Sequence, residues 1–266
     1  MKKYIFFIAV ILFLAAIIQV SYAEDKATLS LLAEDEFFRK GNEYYEKGEY
    51  AKAVSEYESI LSSGLENGTV YYNLAGAYFK LHKLGKAIVN YERAKCFMPR
   101  DSDLAANYRF ARAEITGPVI LRKGLWAWKP LRIYSEKFTI NEFTWTLSVM
   151  FILILAMIFI FILRARMEWY QIVILCALCF FMVLDLTVLA HKVRDRKTAA
   201  VAIERDAEVL FGPFDSATKF FTLNEGMIVN ILQGKDDWYK IKRVDGKVGW
   251  VKKQALERVV NNSVDS

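Results

Sequence analysis

Two long apolar runs dominate the pattern of hydrophobic and polar positions along the chain. Phe143–Leu163 and Tyr170–Ala190 each hold 21 residues, and neither contains a basic side chain. At a rise of about 1.5 Å per residue, each run forms a helix of about 30 Å, the thickness of a bilayer's hydrocarbon core. The six residues between them permit only an antiparallel turn. The pattern therefore predicts a two-helix transmembrane hairpin over residues 143–190, with the segments before and after it on the same side of one membrane.

Residues 1–23 have the features of an export signal. Lys2 and Lys3 precede the apolar run Ile5–Ile18, and small residues at positions 21 and 23 match a cleavage pattern. An uncleaved anchor is the alternative, and both interpretations place residue 24 onward outside the cytoplasm. The positive-inside rule points the other way, because basic residues are more numerous in the hairpin's flanks than in its link. We give priority to the signal and expect a bacterial inner-membrane protein with both soluble parts on the periplasmic side.

Residues 30–116 repeat with a period of 34 residues. The corresponding pairs are Gly41 and Ala75, Tyr44 and Tyr78, Ala53 and Ala87, and Tyr57 and Tyr91. Small residues let antiparallel helices approach closely, and the tyrosines fill the space between helix pairs. Residues 103–115 read as one further helix, which would cap the stack because a single repeat cannot bury its own apolar face. The region resembles the tetratricopeptide (TPR) repeat family, which implies an α-solenoid.

The TPR resemblance implies a peptide-binding groove on the concave surface of the first helices. By the repeat register, that surface is formed by Phe38, Asn42, Tyr45, Tyr72, Asn73, Phe79, Asn107 and Phe110. Asparagine amides both donate to and accept from a peptide backbone, and aromatic rings add contact area that tolerates many sequences. Phe38 and Asp103 stand where carboxylate-binding TPR domains have lysines, so the resemblance does not extend to a carboxylate clamp. The alternative is that these side chains are solvated or pack against one another.

Strand-like runs separated by turn signals characterise residues 198–260. The runs are Ala199–Ile203, Glu208–Phe211, Met227–Leu232, Trp238–Arg243 and Lys247–Val251. Asp245-Gly246 marks a hairpin between the last two runs. Their order resembles the bacterial SH3-like family, which implies a small β-barrel with a ligand-stacking tryptophan at Trp238. We expect a contact patch formed by Asp236, Asp237, Trp238 and Tyr239. The alternative is that Trp238 and Trp250 belong to the barrel core.

Three further features lie in or beside the hairpin. Aromatic and basic residues alternate in residues 117–142, which predicts an interfacial linker at the lipid head groups; a plain linker is the alternative. Asp185 is a carboxylate inside the second apolar run, where a charge is costly. We predict that it contacts a partner's transmembrane helix, with snorkelling toward the interface as the alternative. Cys176 and Cys179 share a helix face, so an intramembrane dithiol oxidoreductase is a minor alternative for the protein.

Charge and composition narrow the function classes. The chain carries 36 basic and 30 acidic side chains, but residues 24–116 have a net charge of −2 and residues 191–266 of +3. Neither folded part has the basic excess of a nucleic-acid-binding domain, so we expect no nucleic-acid partner. The three cysteines and two histidines lack metal-ligand spacing. We expect no catalytic residue, cofactor or metal, and therefore a protein that is not an enzyme.

These predictions define a multi-domain α plus β protein with a TPR α-solenoid, a transmembrane hairpin and an SH3-like β-barrel. The order of parts is signal peptide 1–23, TPR domain 30–116, linker 117–142, hairpin 143–190, SH3-like domain 198–260 and tail 261–266. This order is similar to that of BatE-type proteins of bacterial aerotolerance operons, which implies membrane-anchored von Willebrand A-domain proteins as partners. The sequence thus predicts a non-catalytic scaffold anchored in the lipid bilayer. A cell-wall protein that binds or senses peptidoglycan is the alternative.

Overall fold

The computed structural model describes residues 36–116, 129–164 and 168–260. The predicted signal peptide, the tail 261–266 and residues 117–128 of the predicted linker lie outside the described residues. Within the described ranges the chain combines helices with one antiparallel sheet, which confirms the predicted mixture of α and β structure.

Five helices form the N-terminal part, which we call the helical domain. Their bounds are 36–46 for α1, Tyr50–Ser62 for α2, Gly68–Lys80 for α3, Leu84–Phe97 for α4 and Ser102–Ala113 for α5. Links of three to five residues join them, so consecutive helices lie antiparallel. Helix α4 begins 34 residues after α2, as the sequence period predicts.

Side-chain caps fix where two of these helices begin. The side chain of Asn67 accepts hydrogen bonds from the amides of Thr69, at 2.8 Å, and Val70 at the start of α3. Asp101 accepts from the amide of Leu104 at 2.7 Å at the start of α5. Each cap satisfies amides that have no partner within the helix and contributes about 1 kcal/mol. The 34-residue period thus rests on local start signals as well as on the apolar pattern.

The C-terminal part is a seven-stranded antiparallel sheet, which we call the sheet domain. The strands are β1 Ala199–Ala202, β2 Ala207–Leu210, β3 Lys219–Leu223, β4 Ile228–Lys235, β5 Trp238–Arg243, β6 Val248–Lys252 and β7 Leu256–Arg258. Their order across the sheet is β3-β2-β6-β5-β4-β1-β7. The sequence pattern predicts five of the strands and misses β3 and β7. Gly246 has φ 94° in the β5–β6 turn, a conformation that glycine adopts without strain.

Two helices are long and apolar enough to cross a membrane. Helix α7 covers Ile140–Arg164 and α8 covers Trp169–Thr198, and only 6% of the apolar window of each is buried. Large apolar side chains that face outward over this length are typical of a lipid-facing surface. Helix α8 runs eight residues past the predicted end at Ala190, and β1 begins directly after it. No linker therefore separates the second apolar helix from the sheet domain.

A short helix, α6 at Lys129–Lys137, precedes α7 and lies against α8. The Lys192 ammonium of α8 donates to the carbonyl oxygens of Ser135 and Phe138, both at 2.6 Å, and so caps the end of α6. Arg100, which precedes α5, forms an ion pair with Glu142 at the start of α7, with an N–O distance of 2.5 Å. Arg100 thus attaches α7 to the helical domain, and Lys192 holds α8 against the end of α6 at the same end of the hairpin.

Candidate functional site

The predicted groove of the helical domain contains a hydrogen-bonded asparagine pair. Asn42 on α1 and Asn73 on α3 are 31 positions apart, and Asn73 Nδ2 donates to Asn42 Oδ1 at 3.0 Å. The Tyr57 hydroxyl donates to the same oxygen at 2.7 Å. Burial raises the pKa of Tyr57 to about 12, so this hydroxyl keeps its proton near neutral pH. Two donors therefore fix the amide of Asn42, and its Nδ2 group remains available for a ligand within the described structure.

Aromatic side chains extend this face from α3 to α5. The Asn107 amide donates to the Tyr72 hydroxyl at 2.5 Å, and the rings of Phe79 and Phe110 meet edge to face with centroids 5.6 Å apart. Phe110 is 63% exposed, although a ring of this size is ordinarily buried. An exposed ring in contact with a half-buried one is suited to hold an apolar side chain of a ligand.

The remaining predicted groove residues pack against neighbours within the helical domain. Phe38 is half-buried, and its ring centroid is 6.1 Å from that of Tyr57. Tyr45 is also half-buried and contacts Tyr50 edge to face at 5.2 Å. The structure thus brings the eight predicted residues to α1, α3 and α5, but self-packing accounts for part of the set. Asn107 and Phe110 are the exposed members.

The predicted contact patch of the sheet domain needs a correction at Trp238. Its side chain is only 8% exposed, so it is not a surface residue that could stack on a ligand. Lys252 explains part of the burial, because its ammonium lies 5.7 Å from the centre of the Trp238 ring. Asp236 and Asp237 are exposed in the β4–β5 turn, whereas Tyr239 is half-buried. Two carboxylates remain as the accessible part of this patch.

Three exposed phenylalanines, which we call the phenylalanine cluster, lie along the β2–β3 part of the sheet domain, and the sequence analysis does not single them out: Phe211, Phe214 and Phe220. These rings are 61%, 56% and 36% exposed. The centroids of Phe211 and Phe220 are 4.3 Å apart, and the Lys247 ammonium lies 5.7 Å from the Phe220 ring. Clustered exposed rings are unusual on a soluble surface and indicate an interaction site. The turn-forming Gly212-Pro213 between two phenylalanines is the sequence signal that could have pointed to it.

Arg93 on α4 joins the helical domain to the sheet domain, a contact that the sequence does not predict. Its guanidinium donates to the carbonyl oxygens of Val259, at 3.0 Å, and Arg258, at 2.8 Å. It also forms an ion pair with Glu257 at 2.9 Å and donates to the Asn90 amide oxygen at 3.2 Å. The Arg93 side chain is 13% exposed. One guanidinium fork therefore holds the end of β7 against α4.

A glycine allows close approach at a second point of the same interface. The amide of Gly85 donates to the Glu225 carboxylate at 2.8 Å. A Cβ atom at Gly85 would lie 2.5 Å from the Ala202 carbonyl oxygen, a distance that van der Waals repulsion forbids. Val201 and Val259 of the sheet domain also pack within the core of the helical domain. The two folded parts therefore share one buried interface.

Inside the hairpin, Asp185 has a partner from its own chain. The Thr146 hydroxyl of α7 donates to Asp185 Oδ2 at 2.5 Å. A carboxylate at membrane depth is stabilised by such a donor, so this contact supplies what the sequence argument assigned to a partner protein. The predicted contact of Asp185 with a partner's helix stays a prediction.

The chemistry-bearing residues of the described chain form no metal cluster. Across 36–116, 129–164 and 168–260, no three His, Cys, Asp or Glu side chains are grouped to hold an ion. Cys176 and Cys179 are exposed on α8 with free thiols. Burial raises the pKa of Cys96 and so disfavours its reactive thiolate. The dithiol alternative therefore rests on the spacing of the two α8 cysteines alone.

Comparison with known protein families identifies one part of the chain. Residues 209–257 match the model of the bacterial SH3 domain family. No curated protein matches the chain. The match begins within β2 and ends within β7, so β1 lies outside it. The chain is thus similar to bacterial SH3 domains over these residues.

Proposed function

We propose that the protein is a non-catalytic scaffold anchored in a membrane by α7 and α8. In this proposal the helical domain is a TPR α-solenoid whose groove binds an extended peptide, and the sheet domain is an SH3-like barrel that provides a second protein-binding surface. The single observation that supports it most is the interface of Arg93 and Gly85. That interface lies on α4, away from the exposed groove residues Asn107 and Phe110 on α5.

The proposed location is the bacterial inner membrane, with both folded parts on the periplasmic side. Both ends of the hairpin contact the helical domain, which supports a common side: Glu142 on α7 pairs with Arg100, and the Arg196 guanidinium of α8 lies 5.5 Å from the Phe97 ring centre. The BatE-like order of parts favours partners of the membrane-anchored von Willebrand A-domain type. Reporter fusions after residues 116 and 260 test the orientation, and cytoplasmic activity of both reporters would invert it.

Crosslinking in membranes, followed by recovery of integral proteins with the full chain, tests the groove. We expect Phe110→Ala to weaken recovery of a groove partner by about 5- to 30-fold, because truncating an interface aromatic costs about 1–2 kcal/mol. Phe214→Ala is the matched control, since that ring is 56% exposed and lies on the sheet domain. Equal recovery with wild type and both variants would contradict the groove.

Peptidoglycan binding is a second candidate, favoured by the bacterial SH3 match and the exposed phenylalanine cluster. Stacking of apolar sugar faces on aromatic rings is a common mode of carbohydrate recognition. The test is cosedimentation of the detergent-solubilised full chain with purified sacculi; the sheet domain alone is unsuitable because α4 covers part of it. Phe214→Ala should reduce cosedimentation and Phe110→Ala should not. No cosedimentation of the wild type would exclude this candidate.

A further inference from the structure

A shallow, open groove of about 570 Å³ lies along one face of α8, and all of its lining residues belong to this helix. Its apolar part is formed by Leu186, Leu189, Ala190 and Val193, which follow one another at helical spacing. Leu186 is 54% exposed, so α7 does not cover this face. From Leu186 to Val193 the helix rises about 10 Å, which is about two thirds of one bilayer leaflet's hydrocarbon thickness.

Two cations, Arg194 and Lys197, line the end of the groove nearest the sheet domain. Both are exposed, and neither forms an ion pair with a carboxylate of the described residues. Asp195, the adjacent acid, lies 3.3 Å from His191 Nδ1. The other basic residues of this segment are engaged elsewhere: Lys192 caps α6, and the Arg196 guanidinium lies 5.5 Å from the Phe97 ring centre. The groove thus combines an apolar floor with two unpaired positive charges at one end.

We propose that a bilayer phospholipid with an anionic head group binds along this face of α8. Its acyl chain lies on Leu186, Ala190 and Val193, and its phosphate contacts Arg194 and Lys197. Charge complementarity decides between occupants, because a partner's apolar helix would leave both cations without counter-charges. The apolar and charged parts of the groove also follow one another as they do in a lipid. The apolar floor begins inside the membrane span, and the two cations follow where α8 leaves the span, at the level of the head groups. The inference rests on the proposed membrane anchoring of α7 and α8.

Native mass spectrometry of the full chain in mild detergent tests the proposal. The probes are phosphatidylglycerol and phosphatidylcholine with identical acyl chains, and the readout is the ratio of their retention. A cation near an anionic head group contributes about 1 kcal/mol, or about 5-fold. We expect Arg194→Gln to lower the preference for phosphatidylglycerol about 5-fold, and Arg194→Gln with Lys197→Gln about 30-fold. Arg109→Gln is the matched control, because Arg109 is an exposed cation on α5, outside the segments that we place at the membrane.

A second variant, Ala190→Phe, fills the apolar floor and keeps both cations. We expect it to reduce retention of both lipids, whereas a charge effect without a groove would leave retention unchanged. Equal loss with Arg109→Gln and Arg194→Gln would overturn the proposal, as would unchanged lipid retention in Ala190→Phe. Loss of a copurifying protein without loss of lipid would assign the face to a partner's helix. Wild-type chain that is not retained in membranes would refute the anchoring itself, whereas integral protein without lipid preference would refute only this inference.

Discussion

Replacing Arg93 by alanine tests the interface on which the scaffold proposal depends. The substitution removes the donors to the Val259 and Arg258 carbonyl oxygens and leaves Glu257 without its cation. Arg93 and Glu257 side chains are only 13% and 28% exposed, so solvent replaces these contacts poorly. Breaking one partner of a buried, hydrogen-bonded pair costs about 3–5 kcal/mol. We expect Arg93→Ala to destabilise the attachment of β7 to α4 by that amount.

Hydrogen exchange of backbone amides measures this effect locally. The Val259 amide donates to the Ala199 carbonyl oxygen at 3.0 Å, so it reports on the end of the β1–β7 pair next to Arg93. A loss of 3–5 kcal/mol in local stability raises its exchange rate about 150- to 5,000-fold, provided that opening is local. Amides of the distant β2–β3 pair should change much less.

Arg109→Ala on α5 is the matched control, since Arg109 is exposed and contacts only a carbonyl oxygen of its own helix among the described residues. Surface substitutions of this kind change stability by about 0.5 kcal/mol or less. If Arg93→Ala and Arg109→Ala leave exchange at Val259 equally unchanged, the guanidinium does not hold the two domains together. A Glu257→Gln variant completes a double-mutant cycle that separates the ion pair from the carbonyl contacts.

Four further substitutions have expected outcomes. Gly85→Ala should destabilise the interface by about 1–3 kcal/mol through overpacking. Gly76→Ala should instead stabilise α3 by about 0.5–1 kcal/mol, because a Cβ atom at position 76 meets only ordinary van der Waals contacts. Thermal unfolding measures both effects. Arg243 lowers the pKa of Asp245 to about 2. The stabilisation from this ion pair is therefore complete above the unfolded pKa of about 4, and it is lost as the pH falls from about 4 to about 2. Asp245→Asn should remove this pH dependence from the unfolding midpoint. Thr146→Val should weaken α7–α8 association by about 0.6–1.7 kcal/mol, measured by helix dissociation in micelles.

The sequence predicts the parts of the fold that repeat or persist over many residues. The 34-residue period predicts the spacing between α2 and α4, which begin 34 positions apart. The two apolar runs predict α7 and α8 because their length alone excludes most alternatives. Strand β5 has the predicted bounds, Trp238–Arg243, since turn signals flank it on both sides.

Contacts between distant segments leave little trace in local patterns. Arg93 and Val259 are separated by 166 positions, and nothing near either residue predicts the other. Gly85 is the second residue of α4, where a glycine gives no signal of its own, and its need for space follows only from the Ala202 carbonyl oxygen that packs against it. Trp238 illustrates the opposite error: its position suggested a ligand contact, but Lys252 and the strand pairing bury its ring. Burial depends on what packs above a strand, which the strand's own sequence does not state.

The shared interface changes what the two surfaces can do together. Separate domains on a flexible linker would bind a two-part ligand with a penalty for ordering that linker. Here β1 follows α8 without a linker, and Arg93 and Gly85 fix the sheet domain to α4, so the groove residues and the phenylalanine cluster keep a constant separation. A partner that reaches both surfaces therefore gains the second contact at a high effective concentration. Weakening the interface with Arg93→Ala should reduce binding of such a partner and leave a partner of the groove alone unaffected, so the same variant separates one-surface binding from two-surface binding.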